Sequence, residues 1–155
     1  MPQFIDFRDM QKLNLTLSAL KPETLPLWGA FKAQTMVEHL ASEMQFTNGK
    51  KNCEIIYSEE EALIEKQKWV YSDLEIPKNV VVAPPENFLH FKFKDLKTAI
   101  EALNKEIADF EHYYRVEDRT AIHPAFGALN YEEWIIWHSK HFTHHFKQFG
   151  LIRSL

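Results

Sequence analysis

The sequence predicts an all-α fold, a four-helix core with loop insertions, and three observations carry that prediction. Apolar residues recur at helical spacing over several stretches, glycine and proline gather between those stretches, and helix-capping side chains stand at their ends. The chain has 155 residues, which fits one domain over residues 1–155. With 45% hydrophobic and 14% aromatic residues there is material for a packed core, so disorder is not expected.

Asp9 to Ala19 reads as a short helix, followed by a loop, Lys21 to Gly29, in which Pro22 and Pro26 block regular structure. The second helix covers Phe31 to Phe46. Met36, His39, Leu40, Glu43 and Phe46 fall on one of its faces. Asn48-Gly49 is a stop signal, because both residues tolerate the left-handed conformation. From Lys50 to His90 the pattern is irregular. Within it, Ser58 before Glu59, Glu60 and Glu61 marks a capped helix start, with acids at the positive helix end, and that helix closes near Trp69. Pro77, Pro84 and Pro85 then make a long excursion, in which Val80–Ala83 and Phe88–Phe93 can form a minor short β-hairpin. Asp95 to Tyr114 is the third long helix, with the stripe Leu96, Ile100, Leu103, Ile107 and Phe110. Thr120 to Asn130 reads as a loop. Asn130 caps the last helix, Glu133 completes a capping box, and Gly150 ends the helix after Phe149.

Charge and cysteine usage exclude several classes. A formal net charge of −4 gives no basic excess for nucleic acid and no polybasic run for an anionic membrane. The single cysteine, Cys53, rules out an internal disulfide and a thiolate zinc finger. MPQFIDFRDM has no signal-peptide pattern, and no apolar run nears the roughly 20 residues of a membrane helix. The expected setting is reducing and cytoplasmic.

Four of the eight histidines fall within eight residues. At about 100° per residue, His138, His141 and His145 share one arc with Trp134 and Gln148, and His144 lies at its margin. His141 and His145 stand one turn apart, so two imidazole nitrogens can reach one ion. The general-base Glu of the H-E-x-x-H motif is absent, so a protease is not predicted. Catalytic sites usually have three protein ligands, and His39, on the apolar face of the second helix, is the candidate third. The bland alternative is a solvated edge or histidines satisfied within the core. Glu43, one turn from His39, is a candidate base or hydrogen-bond acceptor for a ligand, or else a solvated acid. His138 is a candidate to orient a water or replace a ligand. His123-Pro124 reads as a turn fixed by proline. Trp28, Phe126, Trp134 and Trp137 read as packing residues.

The segments LPLWGAFKAQTMVEHL (Leu25 to Leu40) and HPAFGALNYEEWIIWHSKHFTHHFKQFGL (His123 to Leu151) resemble the DinB-like superfamily, and an uncharacterised bacterial branch most closely. The shared pattern is H…H-x-x-H-H-x-x-Q-F-G. The resemblance implies a four-helix bundle with one divalent metal, often nickel or zinc, on His39, His141 and His145. It also implies a small-molecule substrate. Relatives include transferases and isomerases that use a low-molecular-weight thiol (mycothiol, bacillithiol or glutathione), and others described as metal-dependent hydrolases. One departure stands out: Lys32 precedes Ala33, where such sequences often have a capping Thr or Ser.

Three neutral histidines leave an ion with open positions, and such an ion lowers the pKa of bound water toward about 7 or deprotonates a bound thiol. The first gives hydrolysis and the second group transfer, and the residues do not choose between them. A hemerythrin-like di-iron protein is the runner-up, suggested by His39-x-x-x-Glu43, His141-x-x-x-His145 and the pair His112 and Glu117. The order of ligands along the chain speaks against it. The third class is a non-catalytic binding module, metal-stabilised or metal-free, and a homodimer within reach.

Overall fold

A computed structural model describes residues 4–78 and 90–153. Among these residues it contains five helices and a two-stranded antiparallel sheet: α1 (Met10–Leu17), α2 (Ala33–Gln45), α3 (Glu59–Trp69), α4 (Leu96–Tyr113), β1 (Ala121–His123), β2 (Gly127–Leu129) and α5 (Tyr131–Gln148). The fold is all-α with a minor hairpin.

Local chemistry sets most helix ends. The side chains of Asp9, Ser58 and Asp95 accept main-chain N–H groups from Lys12, Glu61 and Thr98, which would otherwise lack partners in the first turn. Asn130 and Glu133 form a reciprocal capping box at α5. At the other end of α5, Gly150 takes a φ of +68°. Leu151 N–H then reaches Phe146 C=O at 2.8 Å and Gly150 N–H reaches Lys147 C=O at 3.0 Å, the Schellman pattern. Helix α2 has no such device. Lys32 is its N-cap in extended conformation and makes no side-chain cap bond.

The core draws on α1 (Leu13, Leu17), α2 (Met36, Val37, Leu40, Met44), α4 (Leu103, Ile107, Phe110) and α5 (Phe142, Phe146), with Phe7 from the leading segment. Helix α5 is buried on most of its circumference, polar residues included. Helix α3 is different: only Ala62 is buried, Trp69 packs partly buried against the core, and polar contacts add to these. Lys66 pairs with Glu133 at 2.8 Å. Lys140, buried at 2% exposure, donates to the carbonyls of Trp69, Ser72 and Leu74 at 2.7–2.8 Å and so caps the end of α3.

The hairpin occupies part of the stretch expected to be a loop. Ala121 pairs with Leu129 and His123 with Gly127, and Gly127 has a φ of +78° that favours glycine. Strands of three residues are too short for a period-2 pattern to register. Of the hairpin expected at Val80–Ala83 and Phe88–Phe93, residues 79–89 lie outside the described residues, and His90 to Phe93 form no strand. No helix among the described residues is long and apolar enough to cross a membrane.

Candidate metal centre

His39 projects from α2, and His141 and His145 from α5, so the cluster exists only because side chains of these two helices meet. The Nε2 atoms of His39 and His145 each lie 3.1 Å from Nε2 of His141. The ligand atoms of all three lie within 4.8 Å of one another. Ring centroids are 4.8, 4.9 and 5.1 Å apart, a nearly equilateral arrangement with the rings turned edge to face. Phe31 packs against His39 and His145, at centroid distances of 5.2 and 5.4 Å.

The two separations of 3.1 Å fit a shared ion. Imidazole nitrogen sits about 2.0–2.1 Å from zinc, so two nitrogens on one ion stand about 2.9–3.4 Å apart at bond angles of about 90–110°. Hydrogen bonding alone satisfies the cluster less well. His145 Nδ1 lies 2.7 Å from Gln148 Oε1, and Gln148 Nε2 donates to Trp28 C=O at 3.1 Å. The amide is thereby oriented, His145 must carry its proton on Nδ1, and its Nε2 offers a lone pair to the centre. One proton on His141 Nε2 would then have to serve two neighbours.

The loop before α2 holds this arrangement. Leu27 N–H donates to Gln148 C=O at 2.7 Å, alongside the Trp28 contact. A Cβ on Gly29, whose φ is +80°, would meet Gln148 Nε2 at 2.8 Å. Burial pushes the pKa of all three histidines down, that of His39 to about 4, with the neighbouring imidazoles adding to the effect. The rings are therefore neutral at pH 7, the form that ligates metal. Among the described residues, this is the group of histidine, cysteine or acidic side chains that can hold a metal ion.

Beside the cluster lies a cavity of about 240 Å³, reached by His141, His145 and His144. Trp69, Phe126 and Trp137 form much of its wall, and Glu43 is on its lining. Burial raises the Glu43 pKa, with Lys51 opposing. His144 is also on the lining, its Nδ1 3.2 Å from Ile76 C=O.

Other sequence candidates lie elsewhere. His138 is in the core against Phe7, Phe110 and Trp134, with Nε2 2.9 Å from Thr47 Oγ1. Thr47 gives its own proton to Met44 C=O, so His138 donates from Nε2 and its Nδ1 is left without a partner. It belongs neither to the three-nitrogen group nor to the cavity lining. His112 is exposed at the end of α4, and Glu117 falls beyond that helix. His123, expected to be a turn residue, does hold the hairpin turn and also lines the cavity. The sequence reading gave no role to Gln148, although its place three residues after His145 on the same arc is a usable signal. Gly29 carried no signal of its function.

No match was found among curated proteins or among solved structures. Residues 70–150, just over half of the chain, match a family described as "Protein of unknown function (DUF1569)". The segment includes α5 with His141 and His145 but not His39. The chain belongs to the DUF1569 family.

Proposed function

We propose that this protein is a metal-dependent hydrolase of DinB-like type, with one zinc or nickel ion on His39, His141 and His145. The observation that supports it most is the convergence of three neutral Nε2 atoms at the edge of an aromatic-walled cavity. When bound there, a divalent ion would acidify a coordinated water or thiol.

The chain's own residues do the rest. Gln148 fixes the His145 tautomer. Phe31 shields the imidazoles from one side. Glu43, with its pKa raised by burial, is the proton acceptor on the cavity wall. Water is favoured over a carboxylate-bearing thiol such as glutathione or bacillithiol as nucleophile. The lining carries Glu43 and Glu65, and no lysine or arginine among the described residues that could pair with the carboxylates of an anionic thiol.

The test is turnover of small neutral esters and amides by zinc- and nickel-loaded protein, with and without glutathione, mycothiol or bacillithiol. Turnover without thiol is expected. It should vanish in His141→Ala and drop roughly 100-fold or more in Glu43→Gln. Activity that appears only with a thiol would replace hydrolysis by thiol-dependent transfer. Turnover indifferent to metal would contradict the reading.

A further inference from the structure

His123 closes β1 and lines the same cavity as His141 and His145. Its Nδ1 accepts two main-chain bonds, from Ala125 N–H at 3.0 Å and Phe126 N–H at 3.2 Å. Both partners are donors that cannot reverse, so Nδ1 must present its lone pair. In the neutral ring the proton is then on Nε2. The ring cannot swing. Phe126 stacks on it at 3.9 Å with an interplanar angle of 7°, and the edge of Trp137 meets it at 5.4 Å. Burial pushes its pKa down to about 3, which keeps it neutral.

The Nε2–H has no hydrogen-bond partner among the described residues, yet it is not one of the polar atoms sealed inside the protein without one. The space that this ring lines is the cavity. His123 is therefore a fixed donor: it cannot serve as a base, because the ring has no free lone pair.

The rest of the wall restricts the occupant. Trp69, Phe126, Trp137, Ile76 and Pro77 are apolar or aromatic surfaces, and the charged groups present are Glu43 and Glu65, which disfavour an anion. A volume of about 240 Å³ is below the roughly 300–1,000 Å³ of pockets for drug-sized ligands.

We infer that the cavity takes a small uncharged carbonyl compound with an apolar body, and that His123 donates its Nε2–H to the carbonyl oxygen. This assignment names the substrate class for the hydrolytic reading and rests on that reading for its catalytic meaning, although the binding it describes can be measured without turnover.

The experiment compares acetophenone with α-methylstyrene, a near-isostere in which a methylene group replaces the carbonyl oxygen. Both are titrated into metal-free and zinc-loaded full-length protein. The indole N–H signals of Trp69 and Trp137 and the ring N–H of His123 are followed by NMR. Acetophenone should bind saturably, roughly three- to ten-fold tighter than α-methylstyrene, the range one neutral hydrogen bond supplies. It should move the His123 Nε2–H signal downfield, as a new hydrogen bond does, and α-methylstyrene should not.

His123→Asn keeps a side-chain oxygen to accept the Ala125 and Phe126 N–H groups but removes the ring donor. It should erase the preference, so that acetophenone and α-methylstyrene bind the variant equally. The His123 signal in the unmodified protein gives the same answer if that variant misfolds. Equal binding of the two probes, tighter binding of benzoate than of acetophenone to the metal-free protein, or an unmoved His123 signal would overturn the assignment. If zinc fails to bind while the acetophenone preference persists in metal-free protein, the metal reading falls and this one stands. If zinc binds stoichiometrically and neither probe shifts a signal, this one falls and the metal reading stands.

Discussion

Gln148 and Gly29 show how far a single residue reaches in this centre. Gln148 accepts the Nδ1–H of His145 and is itself oriented by Trp28 C=O. Replacing it with leucine leaves the Nδ1–H without its acceptor and frees the ring to take the wrong tautomer. Zinc affinity in Gln148→Leu, read by competition with a chromophoric chelator, should fall about 10- to 100-fold. Unchanged affinity would mean that the amide does not set the ligand. Gly29→Ala adds a Cβ 2.8 Å from the same amide nitrogen, at a φ of +80°. That conformation alone costs a non-glycine residue about 1–2 kcal/mol, so urea denaturation should show at least that loss. Zinc binding should weaken as well, because the amide must move. The histidines themselves were legible in the sequence, since a one-turn spacing on a helix is a local pattern. That Gly29 faces Gln148 was not, because the contact joins residues far apart in the chain.

Among the elements, α3 departs most from the rest. It has a serine cap and three acids in its first turn, all readable from the sequence, and its observed span agrees with the expected one. How it attaches was not readable. A lysine within a histidine-rich helix looks like a solvated residue, yet Lys140 is buried and holds three carbonyls at the α3 end. Lys140→Met should strand those acceptors and destabilise the fold by about 1–3 kcal/mol. The check is urea denaturation together with limited proteolysis, in which new cleavage should appear near residues 70–74. A variant as stable and as resistant as the parent would show that the lysine contributes nothing. The short hairpin escaped prediction for a related reason: three-residue strands are specified by their pairing and by Gly127 rather than by periodicity. Its consequence is functional, because it carries His123 and Phe126 to the cavity.

Across the whole molecule, an unusual number of histidines is buried in the neutral form. Burial pushes His138 and His123 to about 3, whereas an unfolded histidine titrates near 6.5. Below pH about 6.5 the unfolded chain therefore binds protons that the folded chain refuses, so acidification favours unfolding. The stability contribution is complete above about pH 6.5 and is lost as pH falls toward about 3. Metal-free protein should lose up to about 1.4 kcal/mol per pH unit for each such proton, measured by urea denaturation between pH 7.5 and 5. His138→Gln should shallow that slope, and a flat profile in the parent would contradict the burial of neutral rings. The all-α class and the helix order were legible because each helix announces itself locally by spacing and caps. What required the structure was the meeting of α2 with α5, which turns three separated imidazoles into one cluster. The central claim is that this cluster holds a single divalent ion, and equilibrium dialysis against zinc tests it most directly. The protein should bind one zinc per chain, and His141→Ala, still folded, should bind none at the same free zinc. No zinc on the parent chain, two per chain, or full retention by His141→Ala would contradict it.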